Sequence, residues 1–116
     1  MKHIDKQLDI AFSRYIRLKY PHCVLCGRGP TQCAHIFQGR SESTKWHEDC
    51  AYGLCVHCHT KEHAQDGKPF ESFARSLLGD DRYYELVRLN NAVSKTPLDE
   101  KRALLDAMRD FLKDEA

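Results

Sequence analysis

Two pairs of cysteines constrain this chain more than any other feature of its sequence. Cys23 and Cys26 form one Cys-x-x-Cys pair, and Cys55 and Cys58 form a second pair further along the chain. Two thiolates at this spacing can reach the same ion from one turn, and four thiolates around one ion form the tetrahedral site of structural zinc. The sequence therefore predicts one structural Zn²⁺ bound by these four cysteines.

Two other chemistries use the same spacing. A redox Cys-x-x-Cys pair belongs in a βαβ unit, and no such pattern surrounds either pair. Residues 55–59 also fit the Cys-x-x-Cys-His motif for covalent haem attachment, although haem would leave the first cysteine pair without a role. Cys33 and Cys50 lie outside both pairs, and we expect them to be buried thiols that pack like small apolar side chains.

The length of the chain limits what packing alone can stabilise. The sequence has 116 residues, which predicts one domain over 1–116 with a modest core. Its first ten residues, MKHIDKQLDI, lack the apolar segment of a secretory signal, and no apolar run reaches the length of a membrane span. We therefore expect a cytoplasmic protein with no membrane partner, in a compartment where thiols stay reduced.

The first half of the sequence predicts a helix and two strands. Residues 4–19 have apolar side chains at helical spacing, and Pro21 follows this segment. Residues 31–37 and 50–55 are short and rich in aliphatic and aromatic side chains, as strands are. The polar sequence between them, QGRSESTKWHED, predicts a loop.

Helices are predicted for the remainder. One begins at Val56 and ends near Gln65, before a turn at Asp66-Gly67. The tail has helix signals throughout, such as Pro69 near one helix start and Gly79 just past its end. Its three predicted helices have the sequences PFESFARSLLG, DDRYYELVRLNNA and LDEKRALLDAMRDFLKD.

The net charge of +1 hides an uneven distribution of charged side chains. Between Arg14 and Lys45 there are six basic residues and one acidic residue, whereas from residue 64 onward nine basic residues face eleven acidic ones. The first part could therefore present a positive face to a polyanion such as DNA. Scattered surface charge explains the same counts equally well.

Three histidines suggest a second metal site. His35 lies in the first predicted strand, and His59 and His63 share one face of the helix that follows the second strand. Two imidazoles on one helix face can bind a single cation. Because a four-cysteine zinc site has no open coordination position, any chemistry must come from residues of this second kind.

These histidines and Cys50 stand in the spacing of a known motif, H-x14-N-x8-H-x3-H, with cysteine in the asparagine position. The sequence resembles the HNH nucleases, also called ββα-metal or His-Me finger nucleases. The sequence is similar in particular to phage HNH proteins of the NinG, or recombination enhancement, kind. The segments that carry this similarity are HIFQGR, TKW, GLCVHCH and FARSLLGDDRYYEL. The similarity runs from about Phe12 to Leu89.

The resemblance implies a fold and an activity. The fold would be α+β, with an N-terminal helix, a zinc-braced ββα-metal core over 20–66 and a helical extension over 67–116. The activity would be that of a metal-dependent DNA endonuclease in phage or prophage DNA processing or recombination. His35 would be the general base, and His59 and His63 would bind a catalytic divalent cation, which could be Mg²⁺, Mn²⁺, Ni²⁺ or Zn²⁺.

The resemblance also assigns DNA contacts and shows two departures from the motif. Arg40, Lys45 and Lys61 are the candidates for contacts with phosphate groups. Ala34 stands where the family usually has a metal ligand, and Cys50 is a weaker hydrogen-bond partner than the usual asparagine. Two alternatives therefore stay open, an inactive zinc-containing module that binds nucleic acid and a zinc-ribbon adaptor that binds a protein partner through its helical tail.

Overall fold

The computed structural model describes residues 3–37, 42–64, 67–92 and 95–115, and it confirms an α+β fold. Within these ranges, no helix is both long and apolar enough to cross a membrane. The elements in chain order are α1 (His3–Lys19), β1 (Thr31–His35), α2 (Glu42–Lys45), a 3₁₀ turn (Glu48–Cys50), β2 (Ala51–Cys55), α3 (Val56–Ala64), α4 (Lys68–Leu78), α5 (Asp80–Asn91) and α6 (Leu98–Glu115).

The two strands form an antiparallel hairpin. Thr31 pairs with Cys55 at one end of the ladder, and His35 pairs with Ala51 at the other. Side chains alternate between the two faces of a strand, so Gln32 and Ala34 share one face of β1 while Cys33 and His35 share the other. A two-stranded hairpin is at best marginally stable alone, and helices cover both faces of this one.

Helices α1 and α6 cover the face that carries Cys33 and Ala51. The apolar stripe of α1 packs against this face and against α6, and the rings of Tyr15 and Phe111 meet edge to face with centroids 5.0 Å apart. The buried side chains of this first core are Leu8, Ala11, Phe12, Ile16, Trp46, Ala51, Leu105, Met108 and Leu112.

Helix α4 covers the opposite face. Tyr52 is almost fully buried there, and its ring meets the rings of Phe70 and Phe73 edge to face. The second core also contains two of the four paired cysteines, so the sulfur cluster is part of the packing on this side. Its buried side chains are Cys23, Ala34, Tyr52, Leu54, Cys55, Phe70 and Ala74.

Gly53 lets the segment after α1 lie directly on β2. A Cβ atom at this position would be 2.6 Å from both the Cβ and the carbonyl oxygen of Tyr20, which is too close for any other residue. The Val24 N–H donates to the Gly53 carbonyl at 3.0 Å, and the Thr31 hydroxyl donates to the Tyr20 carbonyl at 2.6 Å. These contacts hold the loop that carries the first cysteine pair against the hairpin.

The segment between the strands differs from the sequence prediction. A loop was predicted over 38–49; residues 38–41 lie outside the described part, but α2 and the 3₁₀ turn occupy most of the rest. One turn of helix is unstable by itself, and here tertiary contacts stabilise it. The Ser43 hydroxyl donates to the Leu89 carbonyl at 2.6 Å, and the Thr44 hydroxyl donates to the Asn90 side-chain oxygen at 2.7 Å.

A buried lysine joins three distant parts of the chain. The ammonium group of Lys101 lies 2.7 Å from the Asp5 carboxylate in α1 and 3.3 Å from the Glu42 carboxylate in α2, and its side chain is 3% exposed. Glu42 also accepts a hydrogen bond from the Thr96 backbone N–H at 2.9 Å. This ion cluster connects α1, α2 and α6 beneath Trp46, whose ring lies 5.5 Å from the Lys101 ammonium.

Replacing Lys101 with alanine should destabilise the fold strongly. The change leaves two partly buried carboxylates without their shared cation, which should cost about 2–4 kcal/mol of unfolding free energy. Urea denaturation measures the loss. Arg102→Ala removes the same charge from an exposed neighbour on the same helix and should change stability by less than about 0.5 kcal/mol. Equal effects of the two variants would show that the cluster contributes nothing specific.

Candidate metal centres

The four paired cysteines converge from three parts of the fold. Cys23 and Cys26 lie in the loop after α1, which packs against the hairpin at Gly53. Cys55 is the last residue of β2, and Cys58 lies in the first turn of α3. Because α3 begins directly after β2, the second pair spans the junction between strand and helix. The cluster therefore ties the loop after α1 to the start of α3.

The arrangement of the four sulfur atoms fits a tetrahedral ion. All four lie within 4.8 Å of one another, and the Sγ atoms of Cys26 and Cys55 are 3.5 Å apart. Zn–S bonds of about 2.3 Å in a tetrahedron place sulfur atoms roughly 3.8 Å apart, so little movement would be needed to hold Zn²⁺. The thiols are not joined in disulfides, as the zinc prediction requires.

The local hydrogen bonds favour thiolate at part of this cluster. Burial acts to raise the pKa of Cys23, but hydrogen bonds from the backbone N–H groups of Cys55 and Cys26 outweigh it and lower the pKa to about 6. Burial and hydrogen bonding to the other thiols raise the pKa of Cys58 to about 12. The cluster thus mixes thiolate acceptors with thiol donors, and a bound cation would replace the shared protons.

The two remaining cysteines stand apart from this cluster. Cys50 is 2% exposed, and burial raises its pKa to about 12, so it is an inert thiol. Cys33 is half-buried and packs against the first core. The structure confirms the buried thiol predicted at Cys50, whereas Cys33 is less buried than predicted.

A second group of metal-ligating side chains lies on α3. Ligand atoms of His59, Glu62 and His63 lie within 4.8 Å of one another. The Nε2 atoms of the two histidines are 3.0 Å apart, and His63 Nε2 is 3.5 Å from a Glu62 oxygen. The Glu62 side chain is only 8% exposed although it lies on a surface helix. These three residues, at positions i, i+3 and i+4, form one face of the helix.

Gln32 fixes the orientation of His59. The Gln32 side-chain oxygen is 2.7 Å from His59 Nδ1, and an amide oxygen only accepts hydrogen bonds, so Nδ1 carries the proton. The Nε2 atom of neutral His59 then holds the lone pair, and it faces His63 and Glu62. Burial and the neighbouring His63 lower the pKa of His59, although Glu62 opposes them. The lowered pKa favours the neutral imidazole, which is the form that binds metals.

His35 faces the other side of the hairpin. Its ring lies 5.8 Å from the ring of Phe12 in α1, and its Nε2 atom is 3.0 Å from the Lys45 carbonyl oxygen. It stands three residues along β1 from Gln32, about 10 Å at the usual rise of a strand. Among the described residues, the ligand group on α3 does not include His35. The structure thus brings His59 and His63 together, and it places His35 at the opposite end and face of β1.

The predicted DNA-contact residues have different surroundings. The Lys45 ammonium lies 3.6 Å from the Asp9 carboxylate and 5.1 Å from the centroid of the Trp46 ring. Lys61 is exposed on α3, beside Glu62. Arg40 lies outside the described residues. Of the two described candidates, Lys61 is the one that shares a helix with the ligand group.

Sequence reasoning missed two residues of this second site. Glu62 had a usable signal, because a carboxylate three residues after His59 falls on the same helix face as both histidines. Gln32 had no signal in the sequence, since its contact with His59 depends on how β1 packs against α3. Among the described residues, Cys50 does not belong to this ligand group, and it is 2% exposed.

Comparison with known proteins yields no relative. No protein-family model matches the chain, and no curated protein or solved structure matches it. The resemblance to HNH nucleases thus stays a hypothesis, and the two ligand groups are the features that bear on function.

Removing one thiol of the cluster should abolish zinc binding. Cys26 is the exposed member, so Cys26→Ala removes a ligand with little loss of packing. We expect the zinc held by the cluster to be lost on dialysis and the melting temperature to fall by roughly 10 °C or more, since each kcal/mol shifts it by about 4–8 °C in a small domain. Cys33→Ala is the matched control and should retain the metal. Equal zinc content in the two variants, measured by mass spectrometry, would contradict the assignment.

Proposed function

We propose that this protein is a metal-dependent DNA endonuclease of the HNH type, built on a zinc-braced strand–strand–helix unit. The observation that carries the proposal is the second ligand group, His59, Glu62 and His63, which lies on the helix after the hairpin and is separate from the sulfur cluster. A structural zinc site explains folding alone, whereas a partly exposed His-Glu-His group leaves coordination positions for substrate and water.

The spacing within this group suits a small divalent cation. At metal–nitrogen distances of about 2.1 Å, two imidazoles at a right angle place their nitrogens roughly 3.0 Å apart, and a tetrahedral angle places them about 3.4 Å apart. The observed 3.0 Å between the two Nε2 atoms is closer to the octahedral value. A carboxylate oxygen as third ligand supports Mn²⁺ or Mg²⁺ beside the softer Zn²⁺ and Ni²⁺.

In the proposed mechanism His35 is the general base. A carbonyl oxygen only accepts hydrogen bonds, so the contact with Lys45 places the ring proton on Nε2 and leaves the lone pair on Nδ1. In the proposed reaction Nδ1 takes a proton from water, the water oxygen bonds to phosphorus, and the bond from phosphorus to the 3′-oxygen breaks. A bound divalent cation would supply Lewis-acid stabilisation of the phosphate and the leaving oxygen.

A second candidate function has its own support. His35 packs on Phe12, on the opposite face of β1 from Gln32, which argues against its convergence with His59 on one phosphate. Ala34 and Cys50 also depart from the motif. A module that binds nucleic acid through the same surface without cutting it would keep both metal sites and lack the base. This candidate and the nuclease predict different results with the same reagents.

The nuclease proposal predicts that the purified protein nicks plasmid DNA when Mg²⁺ or Mn²⁺ is present. His35→Ala should lower the nicking rate by about 10²–10⁴-fold, the usual contribution of a general base, without weakening DNA binding. Gel electrophoresis of nicked plasmid measures the rate, and binding is measured in parallel at several salt concentrations, because phosphate contacts release counterions.

The control is His57→Ala, which removes an exposed imidazole from the same helix as His59. It should leave nicking unchanged. Salt-sensitive DNA binding by the wild-type protein, without nicking in any divalent cation, would reject the nuclease and support the inactive module. Binding that is absent at all salt concentrations would reject both.

The orientation of His59 predicts a role for Gln32 in metal binding. Gln32→Leu removes the oxygen that fixes the His59 tautomer, and loss of such a partner usually weakens metal affinity by about 10–100-fold. Titration with Mn²⁺, followed by calorimetry, measures the change. His63→Ala should weaken binding further because it removes a ligand. Unchanged affinity in Gln32→Leu would show that the contact with His59 does not serve the cation.

A further inference from the structure

Helix α5 contacts both ends of residues 42–50, which lead into β2. At its C-terminal end, the Leu89 carbonyl and the Asn90 side chain accept hydrogen bonds from Ser43 and Thr44 of α2. Thr44 is 1% exposed, so this contact is shielded from water. The short helix α2 is therefore docked on α5 by side-chain bonds at two adjacent positions.

At its N-terminal end, α5 holds the 3₁₀ turn through an ion pair. The Arg82 guanidinium places Nε at 3.3 Å and Nη2 at 3.0 Å from one oxygen of the Asp49 carboxylate. The backbone carbonyl of Asp49 also accepts a hydrogen bond from the Tyr52 hydroxyl at 2.7 Å. Asp49 is thus held by α5 through its side chain and by β2 through its backbone.

The segment fixed in this way carries the group that orients His35. Lys45 is the last residue of α2, and its carbonyl oxygen is 3.0 Å from His35 Nε2. If α2 shifts, the carbonyl moves with it, because Lys45 is the last residue of that helix and its carbonyl has no partner within the helix. The direction of the His35 ring is therefore coupled to the position of α5.

We propose that Arg82 and Asn90 are positioning residues for His35, acting through residues 42–50 and the Lys45 carbonyl. This inference rests on the proposed function for its role in cleavage. Together the two residues brace residues 42–50 at both ends. A displacement of about 1 Å at a reacting group can cost about 10²-fold in rate, so weakening the brace should lower kcat and leave KM nearly unchanged.

The test follows the His35 ring proton by NMR in the full chain. A ring N–H bonded to a carbonyl is protected from exchange with water, so we expect a resonance from His35 Nε2–H in the wild-type protein. Arg82→Ala and Asn90→Ala should each abolish or broaden it. Arg88→Ala and Asn91→Ala are the matched controls, since they change exposed residues of the same helix, and they should preserve it.

A second variant covers the case in which Arg82→Ala fails to fold. Arg82→Lys keeps the charge and can retain one bond to Asp49, so it should give an intermediate exchange rate for the His35 proton. Circular dichroism establishes that each variant is folded before exchange is measured. A folded Arg82→Ala or Arg82→Lys protein with wild-type protection of His35 would overturn the inference.

The two proposals fail in different ways. If the wild-type protein does not nick DNA but the His35 proton responds to Arg82 and Asn90 as expected, the nuclease is rejected and the positioning role stands. If the protein nicks DNA, the brace predicts a kcat about 10–100-fold lower in Arg82→Ala, with control-like KM. A normal kcat together with a normal His35 resonance would reject the positioning role alone.

Discussion

The close approach of four sulfur atoms is the constraint on which the rest of the structure depends. Two like charges about 4 Å apart repel by about 4 kcal/mol at the effective dielectric of a protein surface, so four thiolates cannot share this volume without protons or a cation between them. The backbone N–H groups that lower the pKa of Cys23 offset part of that repulsion. A bound Zn²⁺ would remove the remainder, and its coordination free energy would then contribute directly to folding.

This cluster also determines where the second ligand group stands. Cys55 ends β2 and Cys58 lies in the first turn of α3, so fixing both sulfurs sets the direction in which the helix leaves the strand. His59 follows Cys58 directly, and its ring then meets Gln32 on β1 at 2.7 Å. Two candidate metal centres thus share one short segment, because Cys58 of the sulfur cluster and His59 of the second group are adjacent residues.

Local signals in the sequence explain why most of the fold could be predicted and why the segment between the strands could not. Helices such as α1 and α6 follow their own apolar spacing, and the cysteine pairs needed only their spacing to indicate a shared ion. The helix α2 has no such signal, because Ser43 and Thr44 find their partners in α5, far along the chain. The polar sequence of α2 therefore predicts a loop, because the contacts that make it helical are distant along the chain and override its local propensity.

The same limit applies to the site residues. Spacing along α3 was enough to pair His59 with His63, since both lie on one helix, but it could not give the relation of either to His35, which depends on strand alternation and on α1. The ring of His35 lies against Phe12 and is held by the Lys45 carbonyl. Its direction is therefore a property of the tertiary structure.

Helices α5 and α6 therefore contribute to the structure around the hairpin. Helix α6 covers α1 and supplies Lys101 to the ion cluster with Asp5 and Glu42, while α5 holds the segment between the strands. A hairpin of ten paired residues cannot orient a side chain at its connected end, where His35 lies, without such support. If His35 acts on a phosphate, the precision of that action comes from contacts made by residues that the motif does not contain.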